Sequence, residues 1–167
     1  MAETELFQFL DSYYWKIWNP NNLCDEGEDA PYPDELLQPL DKRDPAFMQE
    51  IDRLVANTNN INRGEYYPLS LTVGNADRFL TAYLLDHGAD PFIKDSGESD
   101  QNHFMDILDH AIFSESITND RDEIYLNALM ETAAVLAKHG VTEGGYHCIE
   151  INKEDRTLYA HSPRFKF

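Results

Sequence analysis

Histidine, cysteine and carboxylate side chains are the groups that could carry chemistry in this chain of 167 residues. His103, His110 and Cys148 are the candidate metal ligands, but the histidines and cysteines lack the close pair spacing of a zinc site. The segment DSGESD at 95–100 is acidic enough to attract calcium, yet it lacks the alternating ligands and terminal glutamate of an EF-hand loop. Cys148 would need His147 or His161 to activate it. It sits instead among β-forming apolar residues, which fits a buried, inert thiol. The sequence has no phosphate loop, nucleophile elbow or dinucleotide fingerprint. Carboxylate pairs are frequent only because acids are frequent, so they do not mark acid–base catalysis. The expectation is a protein that is not an enzyme and holds no cofactor or metal.

Charge is the strongest compositional signal. Thirty-one acids face thirteen bases, for a formal net charge of −18. The last fifteen residues carry four bases and two acids, so the rest of the chain is more acidic still. Such a field repels nucleic acid and anionic membranes, and it draws in basic surfaces. The expected partner is therefore a basic protein, with neither nucleic acid nor membrane bound directly. The bland alternative is that the acidity serves solubility alone. No apolar run approaches the roughly 18 residues of a membrane span, and Met1 to Glu5 lacks the basic start of an export signal. Two distant cysteines, Cys24 and Cys148, read as reduced thiols, and the expected location is the cytoplasm.

The elements that would position these groups follow from periodicity. Residues 3–18 place Leu6, Phe7, Leu10, Tyr13, Tyr14 and Ile17 at helical spacing, with Thr4 as cap and Asn19-Pro20 as stop. The stretch has more aromatics than one helix face needs. Residues 19–44 read as an irregular, Pro-rich, acidic linker, a solvated loop or an acidic ligand for a basic groove. Residues 45–58 form a helix capped by Asp44, with Pro45 in the first turn. Short and longer helices are expected at 68–74 and 77–87, and again at 106–113 and about 122–139, separated by the polar insertion SESITND. Gly88 and Gly140 are the helix stops. YHCIEI and RTLYAHS, flanking residues 152–155, read as a β-hairpin at 143–167 that caps the chain.

The segment from Pro68 to Pro91 resembles an ankyrin repeat, whose pattern runs roughly TPLHLAA and closes on LLLEHGAD. Pro68, Leu69 and Leu71 stand at the opening positions, with Tyr67 in place of threonine. Leu84, Leu85, His87, Gly88, Ala89 and Asp90 stand at the closing ones. Ala76 departs from the family's glycine between the helices, which predicts a different turn there. A weaker copy lays Asp106–Ile112 on the opening pattern, Asp106 being its cap, and Ala128–Val141 on the close. A half copy, Leu54–Asn62, parallels 84–92 at an offset of 30 residues. The expected fold is mainly α: a single domain with an N-terminal helix at 1–18, the linker at 19–44, a short stack of ankyrin-like repeats at 45–142 and the hairpin.

The resemblance implies protein binding through the tips between repeats and the concave face. The tips would be Asn62–Tyr66 and Phe92–His103, and the concave face would include Ser70, Thr72, Asp109 and His110. Small acidic ankyrin-like proteins are similar to toxin-immunity proteins and to phage inhibitors of defence nucleases, anti-CRISPR proteins among them. The expected function is thus an inhibitor that mimics nucleic acid and masks a basic nuclease or other nucleic-acid-binding effector. Its contact residues would be Asp95, Glu98 and Asp100 on one tip, Asp109 and His110, the insertion acids Glu115, Asp120, Asp122 and Glu123, and the linker acids Asp25, Glu26, Glu28 and Asp29. The alternative is an adaptor without inhibitory role, binding through Tyr13, Tyr14, Trp15 and Trp18.

Overall fold

A computed structural model of the chain describes residues 4–18, 31–58, 61–62, 67–93, 102–117 and 122–141, together with strands at 149–151 and 158–160. For 116–117 and the two strands it describes the backbone alone. The protein is mainly helical. Its helices are α1 (Glu5–Trp18), α2 (Pro45–Asn57), α3 (Pro68–Gly74), α4 (Arg78–Asp86), α5 (His103–Ile117) and α6 (Glu123–Lys138). Strands β1 (Ile149–Ile151) and β2 (Leu158–Ala160) pair antiparallel, with Glu150 opposite Tyr159.

Local chemistry explains where most helices begin and end. Thr4 Oγ1 accepts the Phe7 amide at 3.1 Å at the head of α1, and Asp44 accepts the Ala46 amide at 3.0 Å before Pro45 of α2. The helices α3, α4 and α6 all close in the same way. The amide two residues past each helix cap reaches back to a carbonyl five residues earlier: Asp77 to Thr72, Ala89 to Leu84, Val141 to Leu136. This closure needs a left-handed residue at its bend. Gly88 and Gly140 supply it at φ 100° and 96°. Ala76 supplies it too, at φ 55°, so the substitution of alanine for glycine does not change the turn as the sequence suggested. The bend is held from both sides, because the Ala76 carbonyl accepts the Tyr32 hydroxyl at 2.8 Å and the next residue, Asp77, is locked by its own bonds. His87 and His139 stand just before the two glycines, where each places Nδ1 on the carbonyl four residues back, at 2.7 and 2.9 Å.

The helices pack as three sequential pairs, α1 with α2, α3 with α4 and α5 with α6. Within the stack, α3 lies between α1 and α5, and α4 lies beside α6. Helix α1 therefore continues the layer of α3 and α5, although its sequence stands apart from the repeat pattern. Leu10, Val73, Leu80, Leu84, Leu108, Ile112, Leu129 and Leu136 fill the space between layers and are fully buried. Burying each such side chain contributes about 1.5–3 kcal/mol relative to leaving it in water. Loops tie successive pairs together. The Asn62 side chain donates to the Gly88 carbonyl and accepts the Asp90 amide, and Asn102 donates to the Pro91 carbonyl. His139 Nε2 reaches Asp86 at 3.2 Å across α4 and α6.

Several sequence expectations need correction. Helix α5 starts three residues before Asp106, and its cap is Asn102, which accepts the Phe104 and Met105 amides at 3.1 Å. The polar insertion is not all loop: α5 runs on to Ile117, so α5 and α6 are about twice the length of α3 and α4. The half copy at Leu54–Asn62 lacks the left-handed turn, because Thr58 is extended at φ −80°. A β-branched residue disfavours the left-handed region, and here it leaves the helix by another route. Residues 31–44 of the linker are packed, not solvated. They form 3-10 helices at Asp34–Leu37 and Leu40–Lys42 and bury Tyr32, Leu36 and Arg43.

Candidate functional site

The packed part of the linker is held by a buried polar cluster. Arg43 grips both carboxylate oxygens of Asp77 at 2.8 Å and donates to the Gln38 and Leu36 carbonyls at 3.1 and 3.4 Å. Neither partner of the ion pair is exposed. Asp77 also accepts the Tyr14 hydroxyl at 2.8 Å and the Leu80 amide at 3.2 Å, so it caps α4 while joining α1, the linker and the α3–α4 turn. Burial works against the Arg43 charge, but the hydrogen bonds and charge of Asp77 outweigh it and hold the guanidinium firmly protonated. Tyr14 is pushed well above the ordinary tyrosine value, first by burial and then by the adjacent Asp77 carboxylate.

An aromatic group sits beside this cluster, where α1 ends and the long helices overhang the short ones. Tyr32 stacks on Tyr125 with centroids 5.7 Å apart, and Trp18 meets both rings edge-on at 6.0 and 6.1 Å. The Trp18 indole donates to Asn75 at 2.8 Å. Asp122 completes the joint, accepting the Tyr32 amide on one oxygen and the Ile124 and Tyr125 amides on the other.

Between the last turns of α1 and residues 31–35 lies an open cleft of about 750 Å³. Tyr13, Trp18 and Tyr32 line it with aromatic surface, and Ile17, Pro31 and Pro33 add apolar surface. Lys16, Asp34 and Glu35 also line it. Tyr13 stacks on Phe47 at 3.9 Å, and its hydroxyl is buried without a hydrogen-bond partner. Burial pushes that hydroxyl above its ordinary pKa, the Arg43 charge opposing and Glu35 and Asp77 adding to the rise.

Five of the thirteen residues expected to touch a partner lie among the described residues. Asp25, Glu26, Glu28, Asp29, Asp95, Glu98, Asp100 and Asp120 lie outside the described residues, as do Cys24, Cys148, His147 and His161. Asp109 is fully buried, so it is not a surface contact; it lies on the side of α5 that faces the core beside Leu108 and Ile112. Thr72, expected on the concave face, is buried as well and bonds to the Leu69 carbonyl and to Thr81. Asp122 is a helix cap, and Glu115 accepts the Asp122 amide at 3.2 Å, so both serve the fold. Glu123 and His110 are exposed, His110 lying 3.9 Å from Asp106. Tyr14 is withdrawn from any adaptor surface by its bond to Asp77, whereas Trp15 stands 58% exposed. Among the described residues no cluster of His, Cys, Asp and Glu could hold a metal ion, and no helix is long and apolar enough to cross a membrane.

The ion pair and the cleft escaped sequence reasoning. Arg43 and Asp77 are 34 positions apart, and neither carries a motif. The available signals were weak: a tyrosine between two prolines at 31–33, and the aromatic excess of α1. Comparison with protein families, with curated proteins and with solved structures finds no match for the chain.

Proposed function

We propose that this protein is a divergent ankyrin-type stack that binds a basic protein and masks its nucleic-acid-binding surface, as an acidic inhibitor or immunity protein does. The observation that carries the reading is the formal charge of −18 borne by a small stack of helix pairs. A surface of that sign competes with nucleic acid for a cationic channel and raises the encounter rate with it. Three features support the ankyrin comparison: the short helices α3 and α4, the glycine-terminated closures at Gly88 and Gly140, and the asparagine ties between successive loops. In this reading β1 and β2 belong to a hairpin that covers the end of the stack.

The test is to replace Asp95, Glu98 and Asp100 together with serine and measure affinity for a cationic nuclease effector. The mask reading expects weaker binding by about tenfold, from three lost charges each worth a few tenths to one kcal/mol. Unchanged affinity would favour the second reading, an adaptor that binds through aromatic contacts. The cleft beside Trp18 and the exposed Trp15 are what support that alternative.

A further inference from the structure

We propose that the cleft between α1 and residues 31–35 receives an arginine or lysine side chain from an extended basic segment of the partner. This rests on the reading of the protein as a binder of basic proteins, and it names a contact point that the charge alone does not. The argument begins with shape. A volume of about 750 Å³ exceeds one side chain, so it has room for a cationic side chain with the backbone that carries it. The lining then selects the chemistry. Tyr13, Trp18 and Tyr32 offer ring surface to a cation, and a guanidinium stacks on such surface. Asp34 and Glu35 supply two carboxylates against the single charge of Lys16, and no hydrogen bond or ion pair within the described residues occupies either acid. Lys16 is exposed, and its long stem lets the ammonium swing away into water.

The walls are also held in advance. Tyr32 is fixed at its amide by Asp122 and at its hydroxyl by Ala76, and Trp18 is fixed by Asn75. The segment carrying Asp34 and Glu35 is pinned by Arg43 through the Leu36 and Gln38 carbonyls. A site built on such supports loses little side-chain freedom when it is filled.

The experiment uses the full chain with Trp15→Phe, which leaves Trp18 as the one tryptophan of the two in the sequence. Capped Gly-Arg-Gly and its citrulline analogue, equal in shape but uncharged, are titrated while Trp18 emission is read. The arginine peptide is expected to perturb Trp18 and to bind about fivefold tighter than the citrulline peptide. Glu35→Gln or Asp34→Asn should narrow that preference, and Lys16→Gln should widen it. Equal binding of the two peptides, a silent Trp18, or a preference indifferent to all three substitutions would overturn the inference. The parent reading fails separately, when the unaltered protein shows no affinity for a cationic nuclease effector. If that affinity is present but unmoved by Asp34→Asn with Glu35→Gln, the cleft is not the contact and only this inference falls.

Discussion

A guanidinium withdrawn from water is tolerated only where its donors find acceptors, and four of the five N–H groups of Arg43 bond to Asp77 and two carbonyls. Breaking such a pair leaves a buried charge alone. Arg43→Ala is therefore expected to destabilise the protein by about 3–5 kcal/mol in urea unfolding, and Arg43→Met with Asp77→Asn by clearly less than the sum of the single changes. A loss under about 1 kcal/mol for Arg43→Ala would show that the pair is not the anchor described. The tyrosines around it add a pH limit. Tyr13, Tyr14 and Tyr32 all have raised pKa values in the folded state, burial being the first cause in each. Because their folded values lie above the unfolded value near 10, the stability they contribute is complete below about pH 10 and is lost as pH rises beyond it. Phenolate absorbance of these rings is expected to appear together with loss of helical circular dichroism, not before it.

At the scale of elements, the turn between α3 and α4 was half legible. Proline at the head of α3, the leucine stripe and the glycine after α4 foretold both helices and their close. Ala76 was read as a departure in shape, because residue type alone does not reveal that Tyr32 and Asp77 hold the backbone left-handed around it. Left-handed strain costs a non-glycine residue about 1–2 kcal/mol, while the buried methyl gains about 0.8 kcal/mol. Ala76→Gly is accordingly expected to be neutral or stabilising by about 1 kcal/mol in thermal or urea unfolding. Ala76→Val, with the same strain and a larger side chain at a fully buried position, should destabilise by about 2 kcal/mol or more. The opposite order of the two variants would contradict the left-handed assignment. Helix α6 was read at close to its observed length, but α5 was read short at both ends, for a different reason. The polar residues of SESITND look like a loop to a hydropathy pattern, yet an overhanging helix end needs only one covered face. Asp122 shows how the overhang is used, its carboxylate capping α6 and holding Tyr32. The cleft was hidden because its walls come from α1 and from a linker whose prolines signalled irregular chain, not packed chain.

The whole molecule is defined by its charge, and charge was the most legible property of all. Composition gives the excess of acid directly, whereas placement of that excess depends on the fold. Asp109 and Asp77 were drawn into the core, Asp122 and Glu115 into helix ends, and these acids serve the scaffold instead of a partner. The net field remains strongly negative even so. Self-repulsion in such a molecule is relieved by salt, since the Debye length falls to about 10 Å near 0.1 M. The melting temperature is expected to rise between low and moderate sodium chloride, and a flat profile would mean that the acids lie too far apart to repel. Binding should respond in the opposite sense. The most direct measurement is the affinity of the unaltered protein for a cationic nuclease effector across sodium chloride from about 50 to about 500 mM, a range over which screening becomes severe. An electrostatic mask predicts a loss of tenfold or more across that range, and a change of about twofold or less would contradict it.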